Sequence, residues 1–383
     1  MFESTAAPGT PGADDGVVSV VTPWLDEANM LRRQFPFCDA VRGRPARSNP
    51  RGIMQLADHF AEFLHTTVNL GQVKLDLLDT RVEAIYRALK ADEVIGSLIL
   101  DKIPQGSWAH RTIIDPVGGA EFDADVMLLM AENPDWSQSP KTYIEEVYAA
   151  LHRHSIYKNM PHSRKCRCVR LVYSNSMHVD IVPYVVLVDG REVIVNRDED
   201  TWENTNSQGF TTWMRAQDQI AQGNLRKVIR LMKFLRDHKG SFTGTRSVIL
   251  TTLLGNQVDA YKKFNDPGYY RDVPTTLLHV VGDLDTYLQA NEMKPSVADP
   301  SESGVTFDHR WEQNTYSYFR DRIHKHAAEI HDAYHAEDKD TSLRLWQGLF
   351  GPEFKAPVTT SSSAKFPVAA AGVTAVARPG RAG

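Results

Sequence analysis

The stretch FDADVMLLM, residues 122–130, places two acidic residues at the start of a continuous apolar run. Side chains alternate between the two faces of a β-strand, so Asp123 and Asp125 project from the same face while Phe122, Ala124 and Val126 project from the other. Two neighbouring carboxylates at the start of a buried strand repel each other unless a cation lies between them. The stretch therefore predicts a central strand that carries a candidate metal site.

A second apolar strand with a single acid follows at HVDIVPYVVLV, residues 178–188. If this strand neighbours the first, Asp180 supplies a third carboxylate. Three carboxylates can hold two Mg²⁺ ions about 3.5 to 4 Å apart, and oxygen-only ligands favour Mg²⁺ or Mn²⁺ over zinc. A D-x-D pair also arises by chance, and acids at strand ends often only face solvent, so the pair by itself leaves both interpretations open.

A glycine-serine turn precedes the acidic strand, at Gln105-Gly106-Ser107. Glycine lets the backbone approach a phosphate closely, and the serine hydroxyl with adjacent N–H groups can hold phosphate oxygens. A lone Gly-Ser is more often an ordinary turn. Combined with the three acids, however, the turn specifies both halves of a metal-nucleotide site.

A basic helical stripe follows later in the chain, where Arg226, Arg230 and Lys233 share one face of a helix over residues 225–237. Such a stripe can face a triphosphate across a cleft, or it can be a solvated helix surface. Ser247, at the start of the next predicted helix, can cap that helix or bind a phosphate.

The pattern along the chain predicts an α+β fold with two lobes. A long amphipathic helix over residues 77–89, with Thr80 and Glu83 as a capping box at its start, precedes a mixed sheet with packed helices; strand patterns then fade and helical periodicity dominates. We expect a disordered N-terminus at 1–16, a sheet lobe at 17–205, a helical lobe at 206–355 and a flexible tail at 356–383, with the active site in the cleft between the lobes.

Composition limits the classes of function. The 383 residues carry 43 Lys and Arg against 48 Asp and Glu, a net charge of -5, which argues against strong general nucleic-acid binding. The chain has no apolar run of membrane-spanning length and no leader pattern, so a cytoplasmic protein without membrane contact is expected. Three cysteines suit a reducing compartment, and the C-x-C at Cys166 and Cys168 favours reduced strand cysteines over a zinc site.

In these motifs the chain resembles the DNA polymerase β-like nucleotidyltransferase superfamily, and more narrowly the bacterial cGAS-like cyclic-oligonucleotide synthases of antiphage defence (CD-NTases). The resemblance covers roughly residues 60 to 355. Its motifs are Gln105-Gly106-Ser107 with Thr112-Ile113-Ile114, Phe122-Asp123-Ala124-Asp125, Cys168-Val169-Arg170 leading into His178-Val179-Asp180-Ile181-Val182-Pro183, Leu231-Met232-Lys233-Phe234-Leu235 followed by Ser247, and the segment from Leu345 to Gly351. One departure is Arg111, where many relatives have a small residue.

The resemblance implies roles for individual residues. Asp123 and Asp125 would bind both metal ions, and Asp180 would complete the site and help to activate the acceptor hydroxyl. Gln105, Gly106 and Ser107 would contact the nucleotide, with Lys233 and Ser247 on its triphosphate.

The resemblance also implies the reaction and the partners. ATP and other NTPs would be condensed, with release of pyrophosphate, into a cyclic di- or trinucleotide that activates an effector during phage infection. Attachment of the flexible C-terminal tail to other molecules, or regulatory operon proteins, would control the enzyme.

Two other functions share the three acids. The first is a related transferase that makes linear oligoadenylate or adds nucleotides to tRNA or protein, although the net charge argues mildly against a tRNA acceptor. The second is a nucleotide sensor without turnover, a class usually marked by loss of the acids.

Overall fold

The computed structural model describes residues 56–119, 121–174 and 177–356. The predicted N-terminal segment 1–16 lies outside the described residues, as does the tail apart from Ala356. Among the described helices, none has both the length and the apolarity that a membrane span requires.

One mixed sheet organises the first half of the described chain. Its strands follow the order β1-β2-β5-β4-β3. Strand β6 pairs with the C-terminal end of β5, and β7 pairs with β6. Strands β2 and β5 are parallel, and the other pairs are antiparallel. The strand bounds are β1 Ile99–Gln105, β2 Phe122–Met130, β3 His162–Arg164, β4 Val169–Tyr173, β5 Met177–Val186, β6 Glu192–Asn196 and β7 Thr201–Asn204.

Two long helices pack against this sheet, α2 at Gln72–Lys90 and α4 at Thr142–Arg153. Helix α2 buries the predicted stripe of Leu78, Val82, Ile85 and Leu89. These side chains, with the apolar residues of β2 and β5, form what we call the sheet core. The predicted capping box was wrong, because α2 begins two turns earlier and the Thr80 hydroxyl donates to the carbonyl of Asp76 inside the helix. Glu83 pairs instead with basic side chains.

The second half of the described chain is helical, as predicted. The helices of this half are α5 Ser207–Ile220, α6 Leu225–Lys239, α7 Ser247–Gly255, α8 Ala260–Asn265, α9 Val273–Gln289, α10 Gln313–Tyr334 and α11 Lys339–Phe350. The short helix α3, Gly106–Ala109, belongs to the first half and comes directly after β1. Their buried faces form a second apolar cluster, here called the helical core.

The first described helix, α1 at Ala57–Phe63, packs into the helical core although it precedes the sheet in the chain. Phe60 contacts Trp346 edge-to-face with a centroid distance of 4.9 Å, and both side chains are buried. The segment around Trp346, at the end of the helical lobe, therefore packs against α1. The α+β fold class is confirmed, while the domain boundaries at 205 and 355 stay predictions.

Candidate active site

The three predicted acids lie on the two parallel strands at the centre of the sheet. Asp125 of β2 is the register partner of Asp180 of β5, and Asp123 lies two residues earlier on the same face of β2. Asp123 is exposed, Asp125 is half-buried and Asp180 is buried, so the acids extend from the surface into the protein. Burial raises the pKa of Asp125 to about 7, and the charges of Asp123 and Asp180 add to this effect. The strand pairing thus concentrates negative charge at one point.

A basic residue that the sequence analysis did not assign holds Asp180. Arg170 lies opposite Asp180 in the antiparallel β4–β5 ladder and donates from Nε to Oδ1 at 2.8 Å and from Nη2 to Oδ2 at 2.7 Å. Across residues 56–119, 121–174 and 177–356, no group of three or more His, Cys, Asp or Glu side chains stands arranged as a metal site. Both carboxylate oxygens of Asp180 face Arg170 instead. The only sequence signal for this pair was the position of Arg170 on the strand before Asp180.

The donor set still fits a divalent cation. Carboxylate oxygens are the ligands that Mg²⁺ and Mn²⁺ prefer, and a cation would offset both the cost of burying the ionised Asp125 and its repulsion by Asp123 and Asp180. Asp123 and Asp125 are the residues that would hold the cation. Asp180 would join them by giving up part of its contact with Arg170.

The raised pKa of Asp125 leads to a stability prediction. Below about pH 4 the carboxyl is protonated in both the folded and the unfolded chain, whereas between its ordinary value of 3.8 and about 7 only the folded chain keeps the proton. The metal-free protein therefore loses stability as the pH rises through this window, and the penalty is complete above pH 7. We expect Asp125→Asn to melt at a higher temperature than the wild type at pH 8 in EDTA. The two should converge near pH 4; an equal difference at both pH values would contradict the prediction.

The Gly106 turn lies directly against Asp125. Gly106 has φ +63°, and a Cβ at this position would lie 2.4 Å from Oδ2 of Asp125. The preceding residue, Gln105, is the register partner of Asp125 in the β1–β2 ladder. Glycine is therefore required twice, by the left-handed backbone and by the close approach of the carboxylate. Ser107 follows in α3 beside the acids.

A cavity of about 420 Å³ opens between the acidic strand and helices α6 and α7. Predicted residues on its wall are Gly106, Ser107, Asp123, Asp125, Lys233 and Ser247. Gln105 instead lines a smaller neighbouring cavity of about 130 Å³, which shares Gly106, His110 and Phe210 with the larger one. Carboxylates and basic side chains thus line the same cleft.

Lys233 is the predicted basic residue that reaches the cavity. Its side chain is buried, and Nζ donates to the carbonyl oxygen of Thr112 at 3.0 Å and to its Oγ1 at 3.3 Å. Burial lowers the pKa of Lys233 to about 8, and the nearby charge of Arg236 lowers it further. Lys233 therefore ties α6 to the loop behind the glycine-serine turn.

The other two members of the predicted basic stripe do not line the cavity. Arg226 pairs with Asp218, with 3.1 Å between Nη1 and Oδ2, and Arg230 is absent from the cavity wall. The sequence left open whether these two residues face a triphosphate or solvent, and neither lies on the cavity wall. Helix α6 turns them toward α5 rather than toward the cleft.

Arg236, one turn after Lys233, lines the cavity and was missed by the sequence analysis. Its Nη1 donates to Oγ of Ser247 at 3.1 Å. The i, i+3 spacing from Lys233 was the available signal, because residues so spaced share a helix face.

His110 was also missed as a cavity residue. Its ring stacks on Phe210 with a centroid distance of 4.7 Å, and it lines both cavities. Burial lowers the pKa of His110 to about 4, so its imidazole is neutral at pH 7.

Comparison with known proteins gives one family match and two curated relatives. Residues 54–218 match the model of the Second Messenger Oligonucleotide or Dinucleotide Synthetase (SMODS) domain. A c-di-GMP synthase of Roseivirga ehrenbergii is 32% identical over 166 residues, which cover 42% of this chain and 43% of the relative. A cyclic AMP-AMP-AMP synthase of Acinetobacter is 22% identical over 270 residues, 70% of this chain and 76% of the relative. The match to the first relative thus spans less than half of its length.

Solved structures share the fold at low sequence identity. E. coli CdnC with ATP has a TM-score of 0.59 at 18% identity and covers 78% of this chain and 98% of its own. The Vibrio cholerae cyclic AMP-GMP synthase DncV with a linear intermediate has a TM-score of 0.61 at 15% identity and covers 79% and 96%. The fold and the acidic strands define a polymerase β-like nucleotidyltransferase lobe joined to a helical lobe. Within that class, residues 54–218 match the SMODS domain, and the chain is similar to bacterial cGAS-like CD-NTases.

Proposed function

We propose that the chain is a Mg²⁺-dependent nucleotidyltransferase that condenses nucleoside triphosphates into a cyclic di- or trinucleotide and releases pyrophosphate. One observation carries the proposal: Asp123 and Asp125 line one cleft of about 420 Å³ together with Lys233, Arg236 and Ser247, and Asp180 is the register partner of Asp125 just outside the lining. An NTP with bound Mg²⁺ matches this distribution, since its metal side meets acids and its phosphates meet cations. The curated relatives are named for cyclic products, which favours cyclisation over a linear product.

The residues of the cleft divide the chemistry. Asp123 and Asp125 would hold the metal ions, which when bound lower the pKa of the acceptor hydroxyl and neutralise charge on the leaving pyrophosphate. Ser107 and the turn at Gly106 would position the triphosphate by backbone and hydroxyl donors, and Lys233 and Ser247 would bind it from the helical lobe.

Bond formation at the α-phosphorus follows from this placement. Asp180 would orient the acceptor hydroxyl and take up its proton as the new oxygen–phosphorus bond forms. The bond between the α-phosphorus and the bridging oxygen of the β-phosphate breaks, and pyrophosphate leaves toward the cations. A repeat of the step within the linear product would close the ring.

The biological setting belongs to the same proposal. The cyclic product would activate an effector in antiphage signalling of the CBASS type, and operon proteins or tail conjugation would regulate synthesis. A solved complex of E. coli CdnC with a HORMA protein lies among the structures that share this fold, which supports the idea of a regulatory partner. A cytoplasmic location stays an expectation from the sequence.

Incubation of the pure full-length protein with radiolabelled NTPs and Mg²⁺ tests the reaction. A small phosphatase-resistant product is expected, and mass spectrometry would identify its bases. A phosphatase-sensitive ladder would indicate linear synthesis, and label on added tRNA or protein would indicate the toxin-type alternative. Absence of pyrophosphate release with all four NTPs would contradict the proposal.

A further inference from the structure

The cation that faces the nucleotide phosphates is the subject of a further proposal, which rests on the proposed function. We propose that Arg236 binds the terminal phosphates of the NTP, both directly and by orienting the hydroxyl of Ser247. Arg236 would thus share the triphosphate-binding role that the sequence analysis gave to Lys233 and Ser247.

The hydrogen bonds of Arg236 support this role. Its guanidinium lies on the cavity wall with 14% of the side chain exposed, and Nη1 donates to Oγ of Ser247 at 3.1 Å and to the carbonyl of Thr245 at 3.3 Å. A hydroxyl that accepts from a guanidinium keeps its own proton for another acceptor. Within the described part of the chain, the Ser247 hydroxyl has no acceptor. Its proton is available to a phosphate oxygen in the cleft.

Lys233 is less available than Arg236. Two of its three N–H groups are directed at Thr112, and its side chain is buried although the residue lines the cavity. A guanidinium has five N–H donors in a planar fork that matches phosphate geometry, whereas an ammonium acts as a point charge. Nε and Nη1 of Arg236 have partners within 3.3 Å, so the two N–H groups of Nη2 remain for a phosphate, against one N–H group of Lys233.

Asp237 is the carboxylate that pairs with Arg236, and it also lines the cavity. The distance from Nε to Oδ1 is 2.7 Å, while Nη2 lies 3.4 Å from Oδ2. The second contact is long, and the other N–H of Nη2 has no partner among the described residues, so Nη2 can donate to a phosphate while Nε stays on the carboxylate. Asp237 would hold the guanidinium in place until the substrate arrives.

Nucleotide affinity measured by calorimetry tests the proposal. The full-length wild type, Arg236→Gln and Arg236→Lys are titrated, with Mg²⁺ present, with ATP and GTP analogues whose α–β bridge cannot be cleaved, and with the corresponding monophosphates. Arg226→Gln is the matched control, because Arg226 lies on the same helix but outside the cavity.

We expect Arg236→Gln to weaken NTP binding about tenfold to hundredfold, the range for hydrogen bonds to a charged group, and to leave monophosphate binding unchanged. Arg236→Lys should give a smaller loss, and it stands in if the glutamine variant does not fold. Arg226→Gln should bind as the wild type does.

A double-mutant cycle separates the direct contact from the effect through Ser247. If Arg236 orients the hydroxyl, Arg236→Gln combined with Ser247→Ala should cost less than the sum of the two single changes. Unchanged NTP affinity in Arg236→Gln, or an equal loss for monophosphates, would overturn the proposal. A wild type that binds no NTP would instead contradict the proposed function itself.

Discussion

Replacement of Asp123 and Asp125 by alanine is expected to reduce pyrophosphate release by at least about 10³-fold. The change removes two carboxylates that would hold the metal ions, and a metal contributes several kcal/mol of transition-state stabilisation, with each 1.36 kcal/mol worth a factor of about ten. The rate of pyrophosphate release from labelled NTPs, at saturating Mg²⁺, measures the effect. The variant should remain folded because Asp123 is exposed and loss of Asp125 removes a half-buried carboxyl whose pKa is raised.

An acid on the adjacent strand supplies the control for this change. Asp101 lies exposed on β1, the strand paired with β2, and does not line the cavity, so Asp101→Asn should retain the wild-type rate. Mg²⁺ should raise the melting temperature of the wild type and not that of the double variant. Pyrophosphate release at the wild-type rate without the two acids would rule out their assignment as metal ligands.

The second large effect is expected for Gly106→Ala. A Cβ at 2.4 Å from Oδ2 of Asp125 must displace that carboxylate or the turn, and the left-handed backbone at φ +63° adds about 1–2 kcal/mol of strain. Displacement of a catalytic group by about 1 Å can cost about 10²-fold in rate. We therefore expect kcat to fall about hundredfold, as measured by steady-state pyrophosphate release.

Gly190→Ala separates backbone strain from the clash. Gly190 also has a positive φ, +84°, but a Cβ there meets no atom within 4 Å. This control should lose stability as Gly106→Ala does and keep its activity. Equal kcat values in the two variants would mean that close approach to Asp125 does not matter for the reaction.

Several elements could be predicted closely from local patterns. The apolar run at 122–130 predicted β2 with its observed bounds, because a short buried strand carries its own composition signal. The start of α2 was missed, since residues 72–76 lack an apolar stripe and Thr80 mimics a cap. The surroundings of Arg226 and Arg230 on α6 stayed open at the level of sequence, because periodicity tells which residues share a face and not what the face meets.

The sequence by itself determined the acids, the glycine-serine turn and the two-lobe order of strands and helices, because each depends on residues adjacent in the chain. Only the tertiary structure decided the pairing partners: Arg170 on Asp180, Lys233 on Thr112 and Arg236 on Ser247. It also placed α1 in the helical core, far along the chain from its neighbours. The physical reason is that hydrogen bonds and packing act over a few ångströms in space, whereas local composition does not encode which distant segment arrives there.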